Sequence, residues 1–273
     1  MSGVGRRVHA MLVVAVLGAL AIALPANTAS GSTGTGHGKP KPTIVLVHGA
    51  WADASSWAPV TARLQRKGYT VLAAPNPLRG LSSDSAYLAA FLQQHTSGPV
   101  VLVGHSYGGA VVTNAATADA DVKALVYVDA FVPDVGDSVL SLQGGGGDPT
   151  ALFDFVAYPG APAGDADLYI KTALFPQLFA GDLPAGTAAQ LAASQRPVTL
   201  SALSQPSAGA AWKTLPSWYL VGTKDAILPP ALQLSMAERA HSHITKVPAS
   251  HLAMLSKPDA VTDLILTAAR ATD

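Results

Sequence analysis

Val100-Val101-Leu102-Val103-Gly104-His105-Ser106-Tyr107-Gly108 is the stretch on which the reading of this chain turns. Four aliphatic residues without a polar interruption predict a short strand buried on both faces. From about residue 107 to 118 the composition becomes helical. Between strand and helix stands G-x-S-x-G, and a turn this tight pushes its serine into strained backbone angles and lifts the hydroxyl above the sheet edge. Glycines flank it because side chains there would strike neighbouring backbone. The helix that follows presents unpaired N–H groups and the positive end of its dipole. Ser106 is therefore the candidate nucleophile.

The same alternation recurs on both sides. Strands are predicted at 43–47, 70–73, 100–103, 123–128, 218–221 and 244–247. Helices are predicted at 57–67, 85–94, 107–118, 230–240 and 259–269, the first with Trp57, Val60 and Leu64 on one stripe and Gly68 as its stop. Six strands alternating with helices predict βαβ units around a mostly parallel sheet. Residues 131–215 break the rhythm with a glycine run at 144–147, many prolines and five of the six phenylalanines. Such an insertion is too long for an ordinary loop. It is read as a helical cap with a pocket beneath it, Trp51, Phe131, Phe175 and Phe179 being candidates for the pocket wall. Some of these aromatics are expected only to pack the cap on the core.

A hydroxyl is a weak nucleophile at neutral pH and needs a positioned base. Of eight histidines, His9 and His37 fall in the N-terminal region and His95 ends a helix. His241 and His243 sit at an exposed turn without a nearby carboxylate, so no metal site is predicted. His48 is expected to hold the turn after the first strand, and His105 to point away from Ser106. His251 remains, in a loop after the last strand and before the last helix, at the sheet edge where ligands bind in open parallel sheets. Asp225, in the loop after 218–221, yields the chain order Ser, Asp, His and would accept Nδ1–H from His251. Asp129, after 123–128, is the rival acid; otherwise it serves as a structural group at the base of the cap. An oxyanion hole needs two backbone donors, each worth roughly 3–4 kcal/mol. Those donors are expected to be the N–H groups of Tyr107 and Ala50, with Gly49 permitting the turn.

Composition narrows the partners. At 49% hydrophobic the chain has ample material for a core, and 17 basic residues balance 17 acidic ones, which disfavours nucleic acid as a partner. With no cysteine, a disulfide framework, a thiol nucleophile, cysteine-based zinc and a lipoprotein anchor are excluded. Arg6 and Arg7, the apolar run 10–24 and small residues at 25–29 predict a signal peptide over 1–29, cut after Ala26 or Ala29. The run is shorter than the roughly 20 residues a membrane span needs, so no stable membrane anchoring is expected after cleavage and the protein is expected outside the cytoplasm. The paired arginines leave the export route open, twin-arginine included. Residues 30–42 read as a flexible linker ahead of a domain at 43–273. Oligomeric state is not legible.

HGAWADASSW (48–57), GHSYGG (104–109), VGTKD (221–225) and SHLAML (250–255) together resemble the α/β-hydrolase superfamily. The likeness is nearest to a small branch of bacterial esterase-like proteins, plant methylesterases and hydroxynitrile lyases. It covers residue 43 to the C-terminus. It implies an α/β-hydrolase fold, a six-stranded mostly parallel sheet flanked by helices, with a helical cap inserted after the strand ending near Asp129. It also implies cofactor-free hydrolysis of a small-molecule carboxylic ester, with Ala50 and Tyr107 at the oxyanion hole. The plant lyases carry lysine directly after the triad histidine, where this chain has Leu252, and threonine in the oxyanion turn, where it has Gly49. Both departures disfavour cyanohydrin cleavage. Ser106 in place of aspartate disfavours dehalogenase and epoxide hydrolase chemistry. A carboxylesterase for small to medium apolar esters is the expectation. The alternatives are lactone, amide, perhydrolysis or C–C cleavage chemistry on the same residues, or a weakly hydrolytic small-ligand receptor.

Overall fold

The computed structural model describes residues 40–144 and 148–272. The predicted signal peptide and most of the predicted linker lie outside the described residues. β1 (Thr43–Val47) leads through α1 (Ala58–Arg66) to β2 (Val71–Ala74), and α2 (Leu81–His95) returns the chain to β3 (Val100–His105). α3 (Tyr107–Ala115) and β4 (Val122–Val128) follow. The insertion then holds α4 (Val139–Leu142), β5 (Phe153–Val156), β6 (Asp167–Ile170), α5 (Phe175–Phe179), α6 (Ala185–Ser194), β7 (Val198–Thr199) and α7 (Leu200–Ser204). The chain closes with β8 (Ser217–Gly222), α8 (Pro230–Arg239), β9 (His243–Val247), α9 (Ala253–Ser256) and α10 (Pro258–Ala271).

The main sheet runs β2-β1-β3-β4-β8-β9, and every pairing is parallel. Every residue of β3 and β8 is buried, whereas four of the five residues of β9 are exposed. Inner strands are covered by helices on both faces and therefore read as unbroken apolar runs. Each fully buried Val, Leu or Ile there contributes roughly 1.5–3 kcal/mol. α10 buries Val261, Leu264, Ile265, Ala268 and Ala269, a stripe at helical spacing, against β4 and β8.

This strand order places the site. From β1 the chain steps outward to β2, then crosses to β3 on the other side, so the loops after β1 and β3 diverge at one point on the carboxyl edge. Val47 pairs with Gly104, which sets the turn at 48–51 beside the turn at Ser106.

The insertion differs from a purely helical cap. β5, β6 and β7 form a three-stranded antiparallel sheet, with Phe153 opposite Ile170 and Phe155 opposite Leu168. The local reason is the period-2 alternation of FDFV and DLYI, with DLYI largely buried and Phe155 and Val156 of the outer strand exposed. Phe153 thereby stacks on Trp51 with ring centroids 5.2 Å apart. The cap is tied down by the Arg79–Asp167 ion pair at 2.5 Å and by the Thr199 N–H to the Leu78 carbonyl at 3.1 Å. No helix among the described residues is long and apolar enough to cross a membrane.

Candidate active site

β3 ends in the turn that the G-x-S-x-G spacing predicts. Ser106 sits at φ 53°, ψ −126°, a conformation that costs a residue with a side chain roughly 1–3 kcal/mol. Packing enforces it. A Cβ on Gly104 would stand 2.7 Å from the Gly108 carbonyl oxygen, and one on Gly108 would stand 2.7 Å from that of His48. The Ser106 carbonyl accepts from the N–H groups of Gly109 at 2.9 Å and Phe131 at 3.1 Å, which locks the turn against the start of the cap.

His251 bridges the other two candidates. Its Nε2 lies 2.8 Å from Ser106 Oγ and its Nδ1 2.7 Å from Asp225 Oδ2. All three residues are buried. A carboxylate only accepts, so Nδ1 carries the proton and Nε2 turns its lone pair to the serine hydroxyl. The loops that carry Asp225 and His251 are stitched together by Thr223 N–H to the Val247 carbonyl (2.9 Å) and Lys224 N–H to that of Ala249 (3.0 Å).

His105 overturns one expectation. It does not point away: its ring packs on His251 at 4.8 Å, and its Nε2–H donates to the His251 carbonyl at 2.8 Å. Burial first, then the neighbouring His251, hold its pKa well below the ordinary imidazole value, so it stays neutral and acts as a fixed donor. His48 does hold its turn, bonding the Gly49 carbonyl through Nδ1 at 2.9 Å and accepting from Asn76 N–H. Among the described residues no group of side chains could hold a metal ion.

Asp225, not Asp129, meets the imidazole. Asp129 makes no hydrogen bond to His251. Its Oδ2 accepts a long bond from Ala253 N–H at 3.3 Å, while its Oδ1 lies beside Gly222, whose N–H donates to Gln233 instead. Burial, reinforced by the charge of Asp225, pushes the Asp129 carboxyl well above the usual aspartate range and favours its neutral acid.

The turn that carries Ala50 packs on the nucleophile turn, where a Cβ on Gly49 would stand 2.6 Å from Ser106 Cβ, and the two expected oxyanion donors are unspent. Ala50 and Tyr107 are buried, and among the described residues neither N–H donates to a protein acceptor. Trp51, next to Ala50, takes φ 57°. The cap holds it there, since its N–H donates to the Arg196 carbonyl at 3.0 Å and its indole N–H to that of Leu168 at 2.9 Å. The Tyr107 hydroxyl donates to Asp84 Oδ2 at 2.8 Å, anchoring the first turn of α3 to α2.

The cap closes over this arrangement. Under the cap a cavity of about 30 Å³ is lined by Trp51, Asp53, Phe175, Phe179, Leu191 and Leu252 among others, with neither Ser106 nor His251 in its wall, and it has room for about one water molecule. Phe179 is fully buried and its ring lies 4.8 Å from His251, 4.9 Å from Phe175 and 6.0 Å from Trp51. Phe131 does not line the cavity; its contribution is the backbone bond to Ser106. A groove of about 640 Å³ beside Trp218 and His243 lies at the outer edge of β9 and reaches none of these residues.

Residues 44–264 match the pattern of the Alpha/beta hydrolase family, well over half of the chain. The chain belongs to that family. A carbendazim-hydrolysing esterase of Nocardioides sp. (strain SG-4G) is 37% identical over 110 residues, 36% of this chain and 46% of that protein, so the match spans about half of that relative's length. A pyrethroid hydrolase of Sphingobium wenxiniae is 27% identical over 243 residues, 81% of this chain and 85% of that one. The plant likeness is carried by Methylesterase 8 of Arabidopsis thaliana, 34% identical over 111 residues, 36% of this chain and 41% of that one. The crystal structure of polyneuridine aldehyde esterase superposes with a TM-score of 0.72 at 19% identity, covering 84% of this chain and 99% of that one, which speaks to fold alone.

Several residues of this alpha/beta hydrolase carry no signal in the linear pattern. Ser250, beside His251, donates to Asp182 in the cap, latching the two parts together. Leu191 and Leu252 complete the cavity wall. Asp84 reaches Tyr107 across 23 positions, and Gln233 reaches Asp225 from the next helix. Such pairings follow from helix packing and have no short-range spacing to betray them.

Proposed function

We propose that this protein is a secreted serine carboxylesterase that cleaves small to medium apolar esters through an acyl-enzyme. The observation that carries the reading is one imidazole held 2.8 Å from Ser106 Oγ and 2.7 Å from Asp225 Oδ2. His251 Nε2 takes the hydroxyl proton as Ser106 Oγ attacks the ester carbonyl carbon, and the resulting oxyanion is met by the N–H groups of Ala50 and Tyr107. Collapse expels the alcohol, which leaves with the proton from His251. Water, deprotonated by the same nitrogen, then attacks the acyl-enzyme and frees the acid. The reaction needs no cofactor.

The aromatic wall of Trp51, Phe175 and Phe179 supports an apolar substrate, as do relatives named for carbendazim and pyrethroid hydrolysis. The apolar side chain of Leu252 in the cavity wall supports ester hydrolysis over cyanohydrin cleavage. No ester fits in about 30 Å³, so the Phe179 ring must swing aside during binding. Export is supported by Arg6, Arg7 and the apolar run that follows them.

A panel of p-nitrophenyl esters from acetate to decanoate, run beside Ser106→Ala, tests the chemistry. Hydrolysis of the short members and a loss of at least about 10³-fold in the variant are expected. A fluorophosphonate probe should modify Ser106, read by peptide mass spectrometry. An unlabelled wild type that still binds small apolar ligands would replace the esterase with a receptor. Phe179→Ala should raise kcat/KM for the longer esters relative to acetate by roughly tenfold; an unchanged ratio would remove Phe179 from the pocket. N-terminal sequencing of protein from the culture medium should begin at residue 27 or 30.

A further inference from the structure

The geometry points to Gln233 as a positioning residue that sets the plane of the Asp225 carboxylate for His251, an inference that rests on the proposed triad. Gln233 lies on α8 with no solvent exposure. Its Nε2 donates to Asp225 Oδ2 at 2.8 Å and to the Leu228 carbonyl at 2.8 Å, while its Oε1 accepts from Gly222 N–H at 3.2 Å. Both amide protons are used on oxygens, so the reversed amide would set its carbonyl against two acceptors. Its orientation is thereby fixed.

The acceptor it serves is the one that matters. Asp225 Oδ1 is taken by the N–H groups of Ile227 at 2.9 Å and Leu228 at 2.8 Å. Among the described residues Oδ2 receives only His251 and Gln233. A carboxylate has room for about four hydrogen bonds, and Asp225 makes four. Without Gln233, Oδ2 keeps, among the described residues, no donor except the imidazole it is meant to orient, and the carboxylate plane is held from the Oδ1 side alone. The same side chain reaches back to Gly222 at the end of β8, so strand, acid loop and helix are locked through one amide. The titratable groups facing it are Asp225 and His251, with Asp129 across Gly222, Tyr219 beside Asp129, and Asp182 at Ser250.

Gln233→Leu and Gln233→Glu in the full chain test this, with p-nitrophenyl acetate kinetics across pH, fluorophosphonate labelling rates and melting temperatures. Removing the donor in Gln233→Leu should lower kcat by roughly 10–100-fold with KM within about threefold, since misplacing a catalytic group by about 1 Å has that effect. Gln233→Glu has a distinct signature. In its acid form the new side chain donates O–H to Asp225 Oδ2 and accepts from Gly222, so activity near wild type is expected on the acid side. On losing that proton it sets a like charge against the acceptor, so a descending alkaline limb absent from wild type should appear.

A Gln233→Leu enzyme with a lower melting temperature but kcat within threefold of wild type would make the residue structural only and overturn the inference. A Gln233→Glu profile superimposable on wild type would do the same, and decides the matter should Gln233→Leu not fold. Failure of the underlying reading looks different: wild type itself would then escape the fluorophosphonate.

Discussion

Asp129 follows β4 directly, and Asp225 lies three residues beyond the end of β8, the next strand in the sheet. Both carboxyls are buried at the same edge. One accepts four hydrogen bonds, from two backbone N–H groups, an amide and the imidazole. The other accepts one long bond and leaves an oxygen without a partner. Burial is common to both and so does not separate them. Donors do: Ile227 and Leu228, just after Asp225, turn their N–H groups back onto its carboxylate, whereas Asp129 sits at φ 46° with its neighbour Ala130 already clamped by the Tyr219 hydroxyl. A strand end becomes an acid site when the loop that follows turns backbone N–H groups onto the carboxylate.

Asp225→Asn should break the first region outright, lowering kcat/KM for p-nitrophenyl acetate by roughly 10⁴-fold, because the amide favours the wrong imidazole tautomer. A loss under tenfold would mean that another acid serves His251. Gly222→Ala strikes both regions, since a Cβ there would stand 2.5 Å from Asp129 Oδ1 and 3.0 Å from the Ala249 carbonyl. A cost of about 1–3 kcal/mol in urea denaturation is expected. Adding Asp129→Ala should recover much of it, and no recovery would show that the Ala249 and Ser250 carbonyls are responsible instead.

Asp129→Asn should disturb catalysis least, with kcat/KM within about threefold. Its signature is in stability against pH. Folded Asp129 keeps its proton above the ordinary aspartate value of 3.8. The native state therefore binds more protons than the unfolded chain, and wild-type stability declines as pH rises from that value through the raised one. The variant does not titrate there. Its stability relative to wild type should climb by about 1.4 kcal/mol for each pH unit inside that window. A difference flat with pH would show that the two strand ends do not differ as described.

Much of this was legible in the linear chain. The six strands lie within about two residues of their predicted bounds, because buried parallel strands are unbroken apolar runs and their ends are marked by glycine, proline and polar residues. α2 begins four residues earlier than predicted, at Leu81 rather than 85, because Asp84 turns back to accept from the Arg79 and Gly80 N–H groups. The small cap sheet was hidden among prolines and glycines, although FDFV and DLYI alternate as strands should. The orientation of His105 is not legible in the linear chain, because the direction of a side chain at the last position of a strand depends on what the cap and the neighbouring loop bring against it.

Ser106 and its turn follow from contacts within a few residues: three glycines, a strand and a helix leave one backbone path, and sterics of that range are written locally. The partnership of Ser106 with His251 spans 145 positions. The choice between two equally buried aspartates, the closure of Phe179 over the imidazole and the grip of Gln233 on Asp225 are of the same kind. Each depends on which hydrogen-bond donors and rings the packed sheet, cap and helices bring to one point, and that is a property of three-dimensional neighbours.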